Sequence, residues 1–294
     1  MTALDRPAVR TGSRARRTAP PARGGAGWAS WRAVALVVGA LVMLFPLYWM
    51  VVTAFSDQGA LTSGPLRFFP ENPTLDGFRR AFTLLPFGQF FLNSTAIALV
   101  AMALSVTLNL LAGYVLAKYR FRGQQVVFIM IVSTLMIPVQ VVMVPQFQLV
   151  AGLGWINSYW AVIIPRAAEA FGIFLCRQFM LGIPDEVLEA ARLDGAGHLR
   201  IFWSVVLPMS RPLIAVLVIL TFMYRWNEFA WPLIVLNDQQ LFTVPIGLSF
   251  LQGEYGTDYP ALMGMALLST LPVLVVFALF QRQFVEGVAR SGLR

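Results

Sequence analysis

Four charged residues stand in two matched pairs inside apolar runs of the sequence. Arg166 and Glu169 are three residues apart, and Arg225 and Glu228 repeat that spacing, with Asn227 beside them. Residues three apart share one face of a helix, so each pair is expected to meet on its own helix. A charged side chain in the middle of a bilayer costs about 2.5–3.5 kcal/mol on insertion scales, so it faces a partner or water. These five residues either line a polar translocation path or form structural ion pairs, and the sequence leaves both interpretations open.

A polar stretch that favours helix, 183–208, lies between two long apolar runs. Asp185 places negative charge in the first turn of its first helix, where the helix dipole favours it. Gly195 is expected to end that helix, since glycine reaches left-handed geometry without a steric penalty. A second short helix is expected over 198–206, with a break at Pro208 before the next apolar run.

One face of the first helix in this stretch is shallow. Val187, Ala190, Ala191 and Asp194 fall on it at helical spacing, and two alanines form its centre. Another surface is therefore able to approach the backbone closely, which suits a docking element. The alternative is an amphipathic loop that rests on the membrane surface.

The same stretch resembles a known motif. Glu189-Ala190-Ala191, then Gly195 after three residues and 205–208 after nine more, is similar to the EAA loop of ATP-binding-cassette importer permeases, with Val205 in place of isoleucine. In that family the loop carries a coupling helix, which docks in a groove of the cytoplasmic ATPase. The resemblance assigns ATPase coupling to Asp185, Glu189, Ala190, Ala191, Asp194, Gly195, Leu207 and Pro208.

The composition is that of an integral membrane protein. Hydrophobic residues make up 58% of the chain and charged residues 12%, with a mean hydropathy of +0.70, whereas soluble domains carry about 25% charged residues. The net charge of +8 does not indicate nucleic acid, because the basic residues lie beside apolar runs. Cys176 is the single cysteine and His198 the single histidine. An intrachain disulfide is therefore excluded, and neither a metal site nor a cofactor is predicted.

The chain in order predicts an all-α polytopic membrane protein with six transmembrane helices and a cytoplasmic coupling-helix loop. Residues 1–27 are expected to form a disordered cytoplasmic tail. A six-span permease domain follows over 28–288, with the docking loop at 183–208, and 289–294 form a C-terminal cytoplasmic tail. The spans are predicted at 33–55, 90–117, 124–144, 157–179, 207–236 and 260–281, with bends or breaks at Pro138, Pro165, Pro232 and Pro272.

Lysine and arginine predict the orientation. Seven arginines precede residue 33, and basic residues recur after the second span, in the docking loop and at the C-terminus, whereas 237–260 carries only acidic charges. The positive-inside rule therefore places both termini and the docking loop in the cytoplasm. We expect a multi-pass protein of the bacterial cytoplasmic membrane.

Further segments resemble the carbohydrate-uptake branch of the family. The segments 226–229 (WNEF) and 231–233 (WPL) are similar to its span-five motif, and 284–287 (FVEG) to the C-terminal segment of the smaller maltose-type permease. Residues 287–292 read GVARSG where that family usually has GAVKG, so the tail departs from its pattern.

The resemblance implies a permease subunit of an ATP-driven importer, for a sugar or a related polyol, that couples ATP hydrolysis by a partner to alternating access. It implies three partners: a cytoplasmic ATP-binding-cassette ATPase dimer, a second related permease and an extracytoplasmic solute-binding protein. The chain has no P-loop and is not expected to be an enzyme. An ATP-independent secondary transporter or channel is the alternative, and glycerol phosphate stays open as cargo. A membrane enzyme finds no support in catalytic motifs.

Overall fold

The computed structural model describes residues 26–59, 68–253 and 256–291. Side chains are described within 31–252 and 257–282, apart from 60–67. Most of the predicted N-terminal tail and residues 292–294 lie outside the described part. Residues 26 and 27 already belong to the first helix, and 289–291 continue the last one, so helix extends beyond both predicted domain boundaries.

The chain divides into two compact units, residues 1–48 and 49–294. Helix α1 covers Ala26–Ala54, and its larger part, up to residue 48, is the described part of the first unit. This helix is apolar all round, with a hydropathy of 2.3 over Trp31–Ala54, as suits a helix surrounded by lipid.

The described part of the second unit consists of helices and their connections, with one two-residue antiparallel ladder. Its elements after α1 are α2 Asp76–Leu84, α3 Phe87–Lys118, α4 Gln124–Ser133, α5 Val139–Gly152, α6 Tyr159–Ile163, α7 Ala170–Leu181, α8 Asp185–Leu193, α9 His198–Ile201, α10 Leu207–Met209, α11 Arg211–Trp226, α12 Ala230–Val235, α13 Val244–Phe250, β1 Gln252–Gly253, β2 Gly256–Thr257 and α14 Tyr259–Ser291. Short 3-10 turns follow α4 and α6 and precede α13, and a π-helical turn, Phe202–Val206, joins α9 to α10.

Three described helices are long and apolar enough to cross a bilayer unbroken. They are Trp31–Ala54 of α1, the whole of α3, and Tyr259–Arg282 of α14. At 1.5 Å per residue, the 32 residues of α3 extend about 48 Å, beyond the roughly 30 Å of hydrocarbon. Pro272 lies inside α14 and does not break it, so the expected break is wrong, while a bend there stays a prediction.

The other three predicted spans are bent helix pairs. Gln124–Met136 meets Val139–Gly152 at 105°, Tyr159–Arg166 meets Ala170–Leu181 at 42°, and His198–Met209 meets Arg211–Trp226 at 80°. Pro138 lies at the first break, as predicted, because proline lacks the donor that a continuing helix needs. Pro165 lies in the 3-10 turn just before the second break, which falls between Arg166 and Ala170. The described helices give six spans if each pair counts as one, and the six-span count stays a prediction.

The predicted fifth span, 207–236, is wrong in its bounds. Pro208 lies inside the short helix α10, and the break falls at Ser210, whose hydroxyl donates to Val206 O. The helix that starts there ends at Trp226, and a separate short helix, α12, covers the rest. The second break was expected at Pro232, but Pro232 lies inside α12, and the chain breaks at 227–229, where the sequence shows no strong helix-breaking residue.

Helix α3 is the centre of the bundle and packs most closely on α7. A Cβ on Gly172 would overlap the Asn109 side chain, and one on Gly113 would overlap Cys176. One apolar cluster extends from this contact into the stretch after α7. Its members include Leu110, Tyr114, Met180, Leu188, Ile201, Phe202, Val206 and Leu213. The stretch 183–208 is therefore fixed to the bundle by its own apolar side chains.

The opposite end of α3 is held by polar contacts with the segment that precedes α13. Asn93 is almost fully buried: its amide donates to the main-chain oxygens of Gln240 and Phe242, and its oxygen accepts from Gln89 and Tyr159. A buried polar group with all its hydrogen bonds made fixes a single arrangement of the chain around it.

Candidate functional sites: a charge cluster and a docking loop

The four predicted intramembrane charges form one cluster, in which each arginine pairs with a glutamate from the other helix pair. Arg166 Nη1 lies 3.0 Å from Glu228 Oε1, and Arg225 Nη2 lies 3.1 Å from Glu169 Oε1. Arg225 Nη1 also lies 3.4 Å from Glu228 Oε2. Of the two expected i,i+3 pairs only Arg225–Glu228 forms, although Glu228 lies two residues beyond the end of α11.

The expected pair Arg166–Glu169 does not form, because the helix breaks between the two residues. Arg166 ends the 3-10 turn after α6, while Glu169 immediately precedes α7. The Glu169 main-chain N–H donates to Asn109 Oδ1 at 3.0 Å, which holds the start of α7 against α3. Its carboxylate lies near the N-terminus of α7, where the helix dipole stabilises negative charge.

Arg225 joins the two breaks. It belongs to the last turn of α11, where positive charge is favoured, and its Nη2 donates to the main-chain oxygen of Arg166. That oxygen belongs to the interrupted backbone of the fourth predicted span, where a carbonyl needs a partner from elsewhere. The Arg225 guanidinium thus neutralises the Glu169 carboxylate and also donates a hydrogen bond to a main-chain oxygen at the helix break.

The cluster is buried within this chain and carries no net charge. Side-chain exposure is 1% for Arg225, 8% for Glu228, 12% for Arg166 and 30% for Glu169. Two guanidinium groups face two carboxylates, so the buried charges compensate one another. Removing one member of a buried pair costs about 3–5 kcal/mol, because it leaves the other charge without compensation.

Two adjoining cavities of about 260 Å³ each open beside the cluster. Val139, Arg166 and Tyr224 line both of them. Glu169 lines the first, and Glu228 lines the second together with Asn227 and Gln140. Four of the five residues predicted for the translocation path therefore line one groove, and Arg225, which is buried beside them, lines neither cavity. The sequence reasoning missed Gln140 and Tyr224, which no motif marks and which only the fold brings there.

The second candidate site is the docking loop, whose first helix, α8, is held at its start. Lys118, at the end of α3, donates to the main-chain oxygen of Ile183 at 2.5 Å and to Asp185 Oδ1 at 2.6 Å. The Lys118 side chain is 5% exposed, whereas that of Asp185 is 74% exposed. The hydrogen bond from Lys118, with the charge of that ammonium, lowers the pKa of Asp185 below its usual value.

Gly195 ends α8 with a φ of +79°, as predicted. The Gly195 N–H donates to Arg192 O, and the Ala196 N–H donates to Ala191 O. These are the two hydrogen bonds of a Schellman motif, which requires left-handed geometry at the glycine position. Tyr119 then contacts the second helix, α9, through a 2.8 Å hydrogen bond between its hydroxyl and His198 Nδ1.

The surface of the docking loop is open. Asp185, Glu189, Ala190, Asp194, Gly195 and Pro208 are exposed, while Ala191 and Leu207 are half-buried. Leu188 is the residue that fixes α8 to the bundle, and the predicted shallow face points largely to the outside. Two apolar side chains that the sequence reasoning missed are strongly exposed on the same loop: Leu193 at 90% and Leu199 at 71%. Leu193 and Leu199 therefore present apolar surface on the two sides of the turn at Gly195.

Comparison with known proteins identifies relatives over most of the chain. The profile of a family described as "Binding-protein-dependent transport system inner membrane component" matches residues 109–289. The arabinooligosaccharides transport system permease protein AraQ of Halalkalibacterium halodurans is 36% identical over 258 residues, covering 87% of this chain and 92% of that protein. The sn-glycerol-3-phosphate transport system permease protein UgpE of Pectobacterium atrosepticum is 36% identical over 266 residues, covering 88% and 95%.

Solved structures share the fold. A chain of a bacterial ABC transporter involved in the import of the acidic polysaccharide alginate has a TM-score of 0.78 at 24% identity, covering 91% of this chain and all of that chain. A chain of the alginate transporter in complex with an alginate pentasaccharide-bound periplasmic protein has a TM-score of 0.62 at 13% identity, covering 86% and 93%. The predicted all-helical membrane fold is confirmed.

Proposed function

This chain belongs to the family of binding-protein-dependent transport system inner membrane components, and on that premise we propose how it moves its cargo. It is a membrane permease subunit of an ATP-driven importer, not an enzyme, and a separate subunit hydrolyses the ATP. We further propose which surface couples to the ATPase, where the translocation path lies, how the chain is oriented in the membrane and which class of cargo it carries.

The coupling surface is the docking loop. An ATPase subunit seats α8, with Ala190 and Ala191 allowing close contact and Glu189 and Asp194 contributing charge-assisted hydrogen bonds. The observation that carries this proposal is the open turn at Gly195, flanked by the exposed Leu193 and Leu199, on a loop whose other face is fixed to the bundle. The inner face of the docking loop is packed on the bundle and its outer face is exposed. The loop therefore transmits the motion of a docked ATPase to the membrane helices.

The motion reaches the path through the bent pairs. ATP closes the ATPase dimer, and the segment from α8 to α10 moves with it. The break at Ser210 passes this movement to α11, which carries Arg225 in its last turn and is followed directly by Glu228. The fourth and fifth apolar segments then tilt and open the groove to the other side of the membrane. Leu207 and Pro208 place the turn at the base of this lever.

The orientation places the docking loop and both termini in the cytoplasm, where ATP is found. The support is the distribution of lysine and arginine in the sequence together with the position of Lys118, Arg120 and Arg122 at the same end of α3 as the docking loop. The opposite end of α3, near Asn93, then faces the outside. An extracytoplasmic solute-binding protein delivers cargo there, and a second related permease supplies the other wall of the groove.

The cargo is a carbohydrate or a related polyol. The support is the resemblance of 226–233 to the sugar-importing branch and the arabinooligosaccharides named for one relative. The sn-glycerol-3-phosphate named for the other relative is a polyol phosphate, so this chain's own groove has to decide between uncharged and anionic cargo.

Site-specific cross-linking tests the coupling surface. In a Cys176→Ala background, Leu193→Cys and Leu199→Cys should each cross-link to a co-purified ATPase in native membranes. Leu84→Cys, 65% exposed at the opposite end of the bundle, is the matched control and should not. Proteoliposomes of the same complex should import solute only when ATP is present on the docking-loop side.

Two results would overturn the proposal. One is the absence of any ATP-hydrolysing partner at Leu193 and Leu199 in membranes that import solute. The other is uptake driven by an ion gradient without nucleotide, which would identify a secondary transporter or channel.

A further inference from the structure

We infer that the turn between α3 and α4 binds the head group of an anionic phospholipid, from the leaflet on the docking-loop side of the membrane. Three arginines around this turn and the exposed apolar face of α4 form the site. None of its residues belongs to the proposed coupling surface or to the groove. The site rests on the proposed orientation only for the statement that this leaflet is the cytoplasmic one.

Arg177, on α7, is held at this turn by two contacts. Its Nε donates to Leu116 O at 3.2 Å, and its guanidinium carbon lies 4.0 Å from the centre of the Phe128 ring, which stacks on Phe174. Gln124 donates to the same Leu116 oxygen at 2.7 Å, so the end of α3, the start of α4 and Arg177 are held together. The two Nη groups of Arg177 have no hydrogen-bond partner among the described residues. They remain free to donate to an anion.

Arg120 and Arg122 place two exposed cations in the turn itself. Within the described ranges, neither side chain forms a hydrogen bond or an ion pair, and the sequence has no acidic residue over 77–168. Asp185 of the docking loop lies nearby: the hydrogen bond from Lys118 lowers its pKa, and the charge of Arg120 contributes to a smaller extent. Since Asp185 already accepts from Lys118 at 2.6 Å, the turn keeps an excess of positive charge.

Helix α4 continues from this turn as apolar surface. It has no buried residue, and Val126, Ile129 and Met130, which share one face, are 60%, 53% and 58% exposed. In a bilayer such a face contacts acyl chains, and basic residues at its end attract anionic head groups. No side chain caps the start of α4, so the positive end of its helix dipole adds to this attraction. An anionic phospholipid matches the charged turn and the apolar face together, whereas a soluble anion matches only the turn.

Photolabelling of the intact transporter in proteoliposomes, with its ATPase and second permease, tests the inference. The probe is phosphatidylglycerol with a diazirine near the start of one acyl chain, and mass spectrometry quantifies the label within 123–133. Unlabelled phosphatidylglycerol should compete at least about tenfold better than phosphatidylcholine. Arg120→Gln and Arg122→Gln should each lower this preference about fivefold, the effect of one basic residue near an anionic surface. Arg200→Gln, at an exposed position of the docking loop, is the matched control and should not change it.

Phe128→Leu tests the placement of Arg177. Leucine keeps an apolar side chain but removes the ring face that orients the guanidinium. The preference for phosphatidylglycerol should fall about threefold, while competition by phosphatidylcholine stays the same, which a merely structural role of the ring would not produce.

Gln125→Glu adds a negative charge at an exposed position in the first turn of α4 and removes no arginine. It should lower the preference about fivefold and replaces the arginine variants if these fail to assemble. The wild type supplies a further measurement, because raising NaCl from about 0.1 M to about 1 M shortens the Debye length from about 10 Å to about 3 Å and should weaken the preference.

Four results would overturn the inference. The first is equal competition by the two lipids, and the second is a preference that ignores Arg120→Gln, Arg122→Gln and Gln125→Glu. The third is its loss in millimolar inorganic phosphate, which would assign the turn to a free anion. The fourth is loss of the ATPase or second permease from the arginine variants with unchanged labelling, which would assign the turn to a protein contact. The proposed function fails on different observations, namely wild-type transporter without an ATPase or uptake that needs no ATP.

Discussion

The Arg225 guanidinium donates a hydrogen bond to the main-chain oxygen of Arg166, so the end of one apolar helix completes the interrupted backbone of another. With the ion pairs Arg166–Glu228 and Arg225–Glu169, this contact joins the breaks of the fourth and fifth apolar segments into one unit. Irregular backbone at membrane depth is tolerated only where protein groups or a polar cavity satisfy it. This cluster provides the groups, and the adjoining groove provides the cavity.

Arg225→Met should destabilise the protein by about 3–5 kcal/mol, because it leaves Glu169 and part of Glu228 as buried carboxylates without compensation. Arg225→Lys should cost less, since it keeps the charge, but it cannot donate to three acceptors in the planar arrangement of a guanidinium. Thermal unfolding of the detergent-solubilised complex, or urea titration of the chain, measures both.

Arg200→Met is the control for this pair of variants, because Arg200 is exposed on α9 and its loss should change stability by less than about 0.5 kcal/mol. Equal stability of the Arg225→Met variant and the wild type would show that the cluster contributes nothing to holding the two breaks together.

The sequence predicted the parts of this cluster but not its connections. Charged residues inside apolar runs are visible without a structure, and so is the i,i+3 spacing that pairs Arg225 with Glu228. The ion pairs between segments, Arg166–Glu228 and Arg225–Glu169, depend on where the helices end. Because the helix ends between Arg166 and Glu169, these two residues do not pair with each other as their spacing predicted. The role of Asn109 could not be predicted either. In the sequence it is one polar residue in an apolar helix, but in the structure its side-chain oxygen accepts from the Glu169 N–H across the α3–α7 contact.

The structure of the docking loop could be predicted better than the charge cluster, because the residues that start and end its first helix are neighbours in the sequence. The acidic first turn of α8 and the glycine at its end follow from helix-capping chemistry alone. The burial of Leu188 and the bend at Ser210 depend instead on the packing of the loop against α3, α7 and α11. The break was predicted two residues too early: Pro208 lies inside the helical run His198–Met209, and the chain bends at Ser210 instead.

Lys118→Met should loosen the docking loop more than Asp185→Asn does. The lysine substitution removes the donor to the buried main-chain oxygen of Ile183, at a cost of about 1–3 kcal/mol, as well as the ion pair. Asp185→Asn removes only the charge of an exposed partner. Hydrogen–deuterium exchange of 183–195 should speed up strongly in the first variant and slightly in the second. Equal exchange in both would contradict the anchoring role of Lys118, and Arg122→Met, at an exposed position nearby, is the control.

The contact between Arg80 and Asp258 should make the stability of the far end of the bundle depend on pH. Arg80 Nε and Nη2 lie 2.6 and 3.0 Å from the two Asp258 oxygens, and this contact lowers the pKa of Asp258. A carboxyl group with a lowered pKa in the folded state stabilises it above the unfolded value, about 3.9, and that contribution is lost as the pH falls through the folded value. The raised pKa of Arg80 has its effect only at strongly alkaline pH.

Substitutions at Asp258 separate its two contacts. Asp258 Oδ1 also accepts from the Ala261 N–H and so caps the start of α14. Asp258→Asn should lose the ion pair and keep the cap, while Asp258→Ala should lose both, with the cap contributing about 0.5–2 kcal/mol. Melting temperatures at pH 7 should fall in the order wild type, Asn, Ala. Below about pH 4 the wild type should approach the Asn variant, and a constant difference down to pH 2 would refute the assignment.

Gly195→Asp should leave the protein in the membrane and abolish ATP-driven uptake. The glycine has a φ of +79°, where a residue with a Cβ is strained by roughly 1–2 kcal/mol, and the added carboxylate would stand at the centre of the proposed ATPase contact. A Cβ at this position meets no atom within 4 Å, so the effect comes from backbone geometry and charge rather than from a clash inside the chain.

Gly195→Asn separates the two causes, because asparagine tolerates left-handed geometry and carries no charge, and it should retain part of the uptake. Gly197→Asp is the matched control, since Gly197 has a φ of −71° and equally open surroundings. Membrane content by immunoblot and uptake in vesicles measure the outcome, and normal transport by the Gly195→Asp variant would show that this turn does not take part in coupling.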